Sequence, residues 1–274
     1  LHRLLPYCCP RSACSRNPVT KKSPQAGTFR AGATGLEPAW TPHRDPQLRR
    51  LDDVGPATVR FVAGRVVVVF AGGPDRAMLA SLPPGASVIA ADGGAEQAHE
   101  LGLAVDLVIG DLDSVSSSTL AALERSGTRV ERHPVAKDAS DLELALDAAL
   151  ALEPGRIVVV GGGAGRLDHL AGELLLLAAD TYASVPVDAQ LGVAAVHVVR
   201  GERTLPGTPG ELVSLFAVHG PAAGVVTEGL RYPLRGETLA PGSSRGLSNV
   251  FTAAEARVSV ERGVLLVVRP SGSV

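Results

Sequence analysis

The stretch Val66-Val67-Val68-Val69-Phe70-Ala71 constrains the fold more than any other. It reads as a strand buried on both faces, the mark of a parallel sheet. Gly72-Gly73-Pro74 then turns the chain. Similar short runs recur at Val88-Ile89-Ala90-Ala91, Leu107-Val108-Ile109 and Ile157-Val158-Val159-Val160, with helical patterns between them. Strands of this kind alternating with helices predict an α/β, Rossmann-like domain, which we place at residues 62–184.

The helices carry clear signals. Ser140-Asp141-Leu142-Glu143 is a capping box, followed by an apolar stripe of Leu142, Ala145, Leu146, Ala149 and Leu150 that Pro154-Gly155 ends. A second helix is expected to begin near Arg166 and to turn Leu167, Leu170, Leu174 and Leu177 inward. A shorter one spans about residues 117–125 and stops at Gly127. Beyond residue 185 the pattern changes to short β-rich runs broken by Gly and Pro. Strands are expected at residues 196–200, 212–218, 224–228, 256–261 and 264–268, with Arg262-Gly263 as a hairpin turn. Residues 185–274 thus form a small antiparallel β-sandwich domain rather than an extension of the first sheet.

Residues 1–58 differ from the rest. They are rich in Arg, Ser, Pro and Gly, hold no acid before Glu37, and keep no hydrophobic period. Such a segment buries too little apolar surface to offset the entropy of ordering, and is expected to be a disordered or spurious leader. A transit peptide has similar composition, but the lone methionine at Met78 favours translation starting between Leu51 and Val62 at a non-standard codon. Cys8, Cys9 and Cys14 are the only cysteines and lack a second pair for zinc, so the body has no disulfide framework, which suits a reducing cytoplasm. A net charge of −2 gives no basic field for nucleic acid or an anionic membrane, and no apolar run approaches the ~20 residues needed to span a bilayer.

The polar clusters all follow strands. Residues 88–91 lead into Asp92-Gly93-Gly94, and 107–109 into Gly110-Asp111-Leu112-Asp113-Ser114. The strand around Val130 precedes Lys137-Asp138-Ala139-Ser140-Asp141, and residues 157–160 precede a glycine run ending in Gly165-Arg166-Leu167-Asp168-His169. Ligands of open parallel sheets bind beyond the carboxyl ends of the strands. Singly, each residue has a structural explanation: Asp92 as a turn residue, Asp111 or Asp113 as a cap, Glu143 as part of the capping box, Asp141 on a helix dipole, Arg166 and Asp168 as a pair, His169 as a half-buried histidine. Four such strand ends on one edge call for a shared site. Two carboxylates one residue apart raise each other's pKa unless a positive charge sits between them. An all-oxygen set without cysteine selects a hard cation, Mg²⁺ foremost, with substrate phosphates completing its shell. The glycines at a helix start, Lys137 and Arg166 suit phosphate.

In motif order, these residues resemble the thiamine pyrophosphokinase family. The resemblance rests on Asp92-Gly93-Gly94-Ala95, Gly110-Asp111-Leu112-Asp113-Ser114, Lys137-Asp138-Ala139-Ser140-Asp141 and Gly165-Arg166-Leu167-Asp168-His169, with Gly229-Leu230-Arg231-Tyr232-Pro233-Leu234 and Gly246-Leu247-Ser248-Asn249 farther on. It implies transfer of pyrophosphate from ATP to the hydroxyl of thiamine, with release of AMP. It also implies a cytoplasmic homodimer whose active site lies at the subunit interface. On that resemblance, Asp92, Asp111, Asp113 and Asp141 surround Mg²⁺ and the triphosphate, and Ser114, Lys137, Ser140 and Arg166 donate to phosphate oxygens. Asp168 orients Arg166 or contacts substrate, either Asp111 or Asp113 is a candidate base, and Tyr232, Ser248 and Asn249 face thiamine. Ser140 stands in place of the family's threonine and Tyr232 in place of a frequent tryptophan. Two other readings remain: pyrophosphoryl transfer to another hydroxymethyl heterocycle such as a pterin, and a non-catalytic nucleotide-binding relative.

Overall fold

The computed structural model describes residues 64–73, 79, 81–161, 165–272 and 274. The expected leader, its cysteines and the expected start of translation lie outside the described residues.

In the first half, strands β1 (Val66–Phe70), β2 (Ser87–Ala91), β3 (Leu107–Gly110), β4 (Arg129–Arg132), β5 (Arg156–Gly161) and β6 (Val187–Leu191) alternate with helices. These are α1 (Gly94–Glu100), α2 (Ser117–Arg125), α3 (Asp141–Leu150) and α4 (Leu167–Leu177). The strands lie in the order β4-β3-β2-β1-β5-β6, every neighbouring pair parallel. The chain steps outward from β1 to β4 and returns on β1's other side as β5, so the strand order reverses beside β1. Alternation along the strands sends Val67, Val69, Ile157 and Val159 to one face, where α3 and α4 pack. Val68, Phe70, Val158 and Val160 face the other way, towards α1 and α2. Gly94 permits a close approach of α1 to β1, because a Cβ there would lie 2.1 Å from the Phe70 carbonyl oxygen.

The apolar stripe of α3 is buried as expected at Leu142, Ala145, Leu146 and Ala149, and Ser140 caps its Glu143 N–H at 3.2 Å. In α4 the expectation holds for Leu170, Leu174 and Leu177, which pack into the first core, but not for Leu167, which is 78% exposed. Leu167 follows the N-cap Arg166 directly, in a first turn that borders an open cleft instead of the sheet.

The second half comprises β7 (Ala194–Val199), β8 (Glu202–Pro206), β9 (Leu212–Glu228), β10 (Arg235–Leu239), β11 (Asn249–Val250), β12 (Glu255–Ser259) and β13 (Arg262–Arg269). It is antiparallel, and it grows directly from the edge of the parallel sheet: β6 pairs β7, β7 pairs β13, and β13 pairs β9. The two strands expected at residues 212–218 and 224–228 are a single strand, β9, that bends where His219 and Gly220 take φ of 59° and 152°. Before the bend β9 continues the main sheet against β13. After it, β9 pairs β10 and β12 in a second layer. A sandwich core fills the space between the layers, with Val199, Leu215, Leu265 and Val267 opposite Leu205, Val225, Leu239 and Val258. Arg262-Gly263 is not a hairpin turn. β12 and β13 pair with β9 and not with each other, and Gly263 instead allows the backbone to approach Pro221, whose carbonyl oxygen would lie 2.4 Å from an added Cβ.

Main-sheet strands β7 and β13 serve both cores, with Val196, Val198, Val264 and Leu266 in the first and Val199, Leu265 and Val267 in the sandwich. On the sandwich side, β6 contributes polar residues. Asp188 is fully buried and accepts hydrogen bonds from Arg156 at 2.7 Å and from Arg203 at 2.7 and 3.0 Å, and it lies 2.9 Å from His197 Nδ1. Burial pushes its carboxyl up, but the His197 hydrogen bond and the Arg203 charge more than reverse this, so it is held well below the usual carboxylate range.

Candidate active site

The carboxyl ends of β1, β2, β3 and β4 and the starts of α3 and α4 open on a cleft of about 1000 Å³. Its walls include Gly72, Asp92, Asp111, Ser114, Lys137, Ser140, Asp141, Arg166 and Asp168. Of the residues expected to act on the phosphates or metal, only Asp113 is not part of this wall. Asp113 is exposed.

Two strained turns aim the acids. Asp92, just past β2, has φ of 41°, and its backbone is held by Ile109 O and Ala95 N, both at 2.9 Å. Leu112 has φ of 64° and buries its side chain in the core against α1 and α2, which fixes the turn between the two acids flanking it. The Asp113 N–H donates to Asp111 Oδ1 at 3.3 Å, the Ser114 hydroxyl to Asp113 Oδ1 at 2.9 Å, and the Ser114 N–H to Asp92 Oδ1 at 3.5 Å. Carboxylate oxygens of Asp92, Asp111 and Asp113 all lie within 4.8 Å of one another. Behind them, Glu96 of α1 accepts from the Ser116 N–H and the Thr119 hydroxyl at the start of α2, tying together the two helices that flank this turn.

Lys137 bridges this cluster to α3. Its ammonium is 3.3 Å from Asp111 Oδ2 and 2.9 Å from Asp141 Oδ1. Asp141, then Asp111, raise the ammonium's pKa, while the Asp113 N–H and Lys137 hold the Asp111 carboxyl below its usual range. Gly110, with φ of 144°, stands between the acids: a Cβ there would lie 2.8 Å from Asp141 Oδ1 and 3.2 Å from Asp92 Cβ. A side chain at this position would push apart an acid at the end of β2 and one at the start of α3. At the α4 end, Arg166 grips Asp168 through two hydrogen bonds of 3.2 and 2.6 Å, and this fork pulls the Asp168 carboxyl down to about 2. Both side chains remain exposed, so the guanidinium retains donors for a ligand.

The fit to a divalent cation rests on the donor set. Three convergent carboxylates with no sulfur and no imidazole match a hard, oxygen-seeking ion, and crowding without one would be repulsive. Asp141 is adjacent, engaged by Lys137 rather than grouped with the three.

The comparisons with known proteins bear on the same residues. Residues 84–187 match the model of the thiamin pyrophosphokinase catalytic domain, and residues 196–265 that of the thiamin pyrophosphokinase vitamin B1 binding domain. Together these take in more than half of the chain. The chain belongs to the thiamine pyrophosphokinase family. The thiamine pyrophosphokinase of Bacillus subtilis is 26% identical over 170 residues, covering 58% of this chain and 76% of that protein. The solved structure of thiamine pyrophosphokinase from the same species superposes with a TM-score of 0.68 at 22% identity, over 76% of this chain and all (100%) of that one. That of Geobacillus thermodenitrificans gives 0.65 at 26% identity, over 76% of this chain and 98% of that one.

Within this family member, the residues expected to face thiamine lie apart from the cleft. Tyr232, Ser248 and Asn249 belong to the antiparallel half, and none of them lines the cleft of the same chain. Tyr232 is 61% exposed, whereas Asn249 is buried and spends its amide on the Tyr232 backbone, accepting from its N–H at 3.0 Å and donating to its carbonyl at 2.8 Å. Asn249 therefore presents Tyr232. Ser248 is exposed with φ of 54°, its N–H held by Ser214. Of the glycine run, residues 162–164 lie outside the described residues. Sequence reasoning gave Gly72 to a turn and Glu143 to a capping box, and passed over Gly172, Glu173 and Leu176; all five line the cleft. The missed signal was a second stripe on α4, at residues 169, 172, 173 and 176, hidden by the leucines that interleave with it.

Proposed function

We propose that this protein is a thiamine pyrophosphokinase that transfers the pyrophosphoryl group of ATP to the hydroxyl of thiamine, giving thiamine diphosphate and AMP. The observation that carries the reading is the convergence of Asp92, Asp111 and Asp113 at strand ends, with Lys137 alongside and Arg166 across the cleft. Group transfer of this kind asks the protein mainly for positioning and for cancellation of phosphate charge. Asp92, Asp111 and Asp113 would hold Mg²⁺, which when bound neutralises charge on the triphosphate oxygens. Lys137, Arg166, Ser114 and Ser140 donate to phosphate oxygens, Asp168 keeps the Arg166 guanidinium oriented, and Asp141 fixes the Lys137 ammonium. Asp111 or Asp113 can take the proton of the incoming hydroxyl. The match to a vitamin B1 binding model favours thiamine over a pterin as acceptor, and the intact acid set speaks against a non-catalytic relative.

With ATP, Mg²⁺ and thiamine, the purified full chain should yield AMP and thiamine diphosphate in equal amounts. Chelation of the metal should lower the rate more than about a hundredfold, reversibly on Mg²⁺ addition. ADP as the nucleotide product, or AMP formed with a hydroxymethyl pterin and not with thiamine, would refute the assignment.

The same reading places the enzyme in the cytoplasm as a homodimer in which Tyr232 of one subunit closes the cleft of the other. The exposure of Tyr232 and its separation from the cleft of its own chain support this. An equimolar mixture of Asp113→Ala and Tyr232→Ala subunits, unfolded and refolded together, should recover about a quarter of wild-type turnover, because half the dimers then hold one intact site. No recovery beyond the separate variants would mean that each chain completes its own site.

A further inference from the structure

Helix α4 has two working faces. Leu170, Leu174 and Leu177 enter the first core, while His169, Gly172, Glu173 and Leu176, at i, i+3, i+4 and i+7 spacing, form one wall of the cleft. Glu173 stands seven residues beyond Arg166, about 10 Å along the helix axis, past the region where Arg166, Lys137 and the acids collect phosphate charge. Leu176, three residues farther along the helix, lines the cleft as well. A Cβ added at Gly172 would meet nothing, so the surface beside Glu173 is flat and open.

Glu173 is half-buried and makes no hydrogen bond or ion pair among the described residues. Burial pushes its carboxyl up, with His169 one turn away pulling partly against this. A partly desolvated carboxyl with no donor costs stability, and a donor brought by a ligand would remove that cost.

We propose that Glu173 is a specificity-determining residue of the distal end of the cleft, accepting a hydrogen bond from the exocyclic amine of an aminated heteroaromatic ring laid over Gly172. This rests on the thiamine pyrophosphokinase reading, in which both substrates carry such a ring, the adenine of ATP and the aminopyrimidine of thiamine. Ionised, Glu173 offers only acceptors, which suit an amine. Protonated, it also offers an O–H to the adjacent ring nitrogen. A ring with a carbonyl in place of the amine turns lone pairs towards the ionised carboxylate, keeps only its ring N–H as a donor, and binds less tightly.

The test compares binding of two ligand pairs, by calorimetry on the full chain with Mg²⁺ present. One pair is ATP and inosine triphosphate, and the other is thiamine and its analogue with hydroxyl in place of the 4′-amine. Wild type should favour the amine of one pair by about 10-fold to 100-fold, and that pair identifies the ring. Glu173→Gln, whose amide offers a donor to a carbonyl as well as an acceptor to an amine, should weaken this preference, and Glu173→Leu should bring the ratio to within about twofold of unity. Glu173→Ala gives the same readout should the leucine pack badly. Ratios unchanged in Glu173→Leu and Glu173→Ala, or no preference for either amine in wild type, overturn the proposal. Failure to form AMP would overturn the catalytic reading alone, since the binding ratios are measured without turnover.

Discussion

Asp113→Ala should lower the rate of AMP formation by about a hundredfold to a thousandfold, a loss of the size that follows removal of a group stabilising transition-state charge. The melting temperature should hardly move, since an exposed side chain away from packed features is worth within about 0.5 kcal/mol. The contrast comes from its place in the molecule. Asp113 is exposed, and among the described residues the only side chain bonded to it is the hydroxyl of neighbouring Ser114 at 2.9 Å. Asp111 does not allow so clean a separation, because it also accepts from Lys137 at 3.3 Å and the Asp113 N–H at the same distance (3.3 Å), so its removal disturbs the whole turn. Turnover at saturating ATP and thiamine, titrated with Mg²⁺ and set beside a thermal melt, checks the prediction. Near-normal turnover at low Mg²⁺ would remove Asp113 from the metal site.

The largest effect on stability should come from the buried carboxylate of β6. Asp188→Ala should cost about 3–5 kcal/mol, the range for breaking a buried ion pair on one side only. It removes the carboxylate that lies within 3.0 Å of Arg156, Arg203 and His197, so all three lose its compensating charge. Because the folded protein holds the Asp188 carboxyl below its usual value, the stability it provides is fully present above the unfolded-state pKa near 4. It is lost as pH falls further, through the folded-state value. Wild type should therefore lose denaturant resistance on acidification below about pH 4, and the variant should show a shallower dependence there. Denaturant melts of both proteins across that range provide the measurement. Equal acid slopes would show that other carboxylates dominate.

The sequence was most legible where one physical rule acted alone. Strands β1, β2, β3 and β5 were visible as apolar runs because burial on both faces leaves no room for polar residues, and α3 was visible because a cap and a stripe agree at Ser140 and Leu142. The acids were legible because Asp111 and Asp113 bracket a residue that must be buried, an arrangement with few structural uses. Legibility failed where two rules competed. In α4, Leu167 obeys the helical period but sits in the turn that borders the cleft, and the stripe containing Glu173 was masked by the leucines beside it. β6, with the polar residues Asp188 and Gln190 inside it, reads poorly as a buried strand, yet all of its residues are buried because an ionic network satisfies Asp188. The bend of β9 was read as a gap between two strands, since Gly220 and Gly224 resemble turn residues when their partner β13 is not in view.

The continuous sheet has a consequence for how the chain must be handled. The two matched family models meet between residues 187 and 196, but β6 and β7 at that junction are hydrogen-bonded neighbours inside one sheet. A chain cut there would leave a bare apolar strand edge on each fragment, the kind of surface that templates aggregation. β13, the last strand among the described residues, closes on β7 and β9 with its two faces in different cores, so neither core is complete until β13 has been synthesised. On the ribosome, the catalytic half should therefore wait for the binding half before it is fully protected from its neighbours.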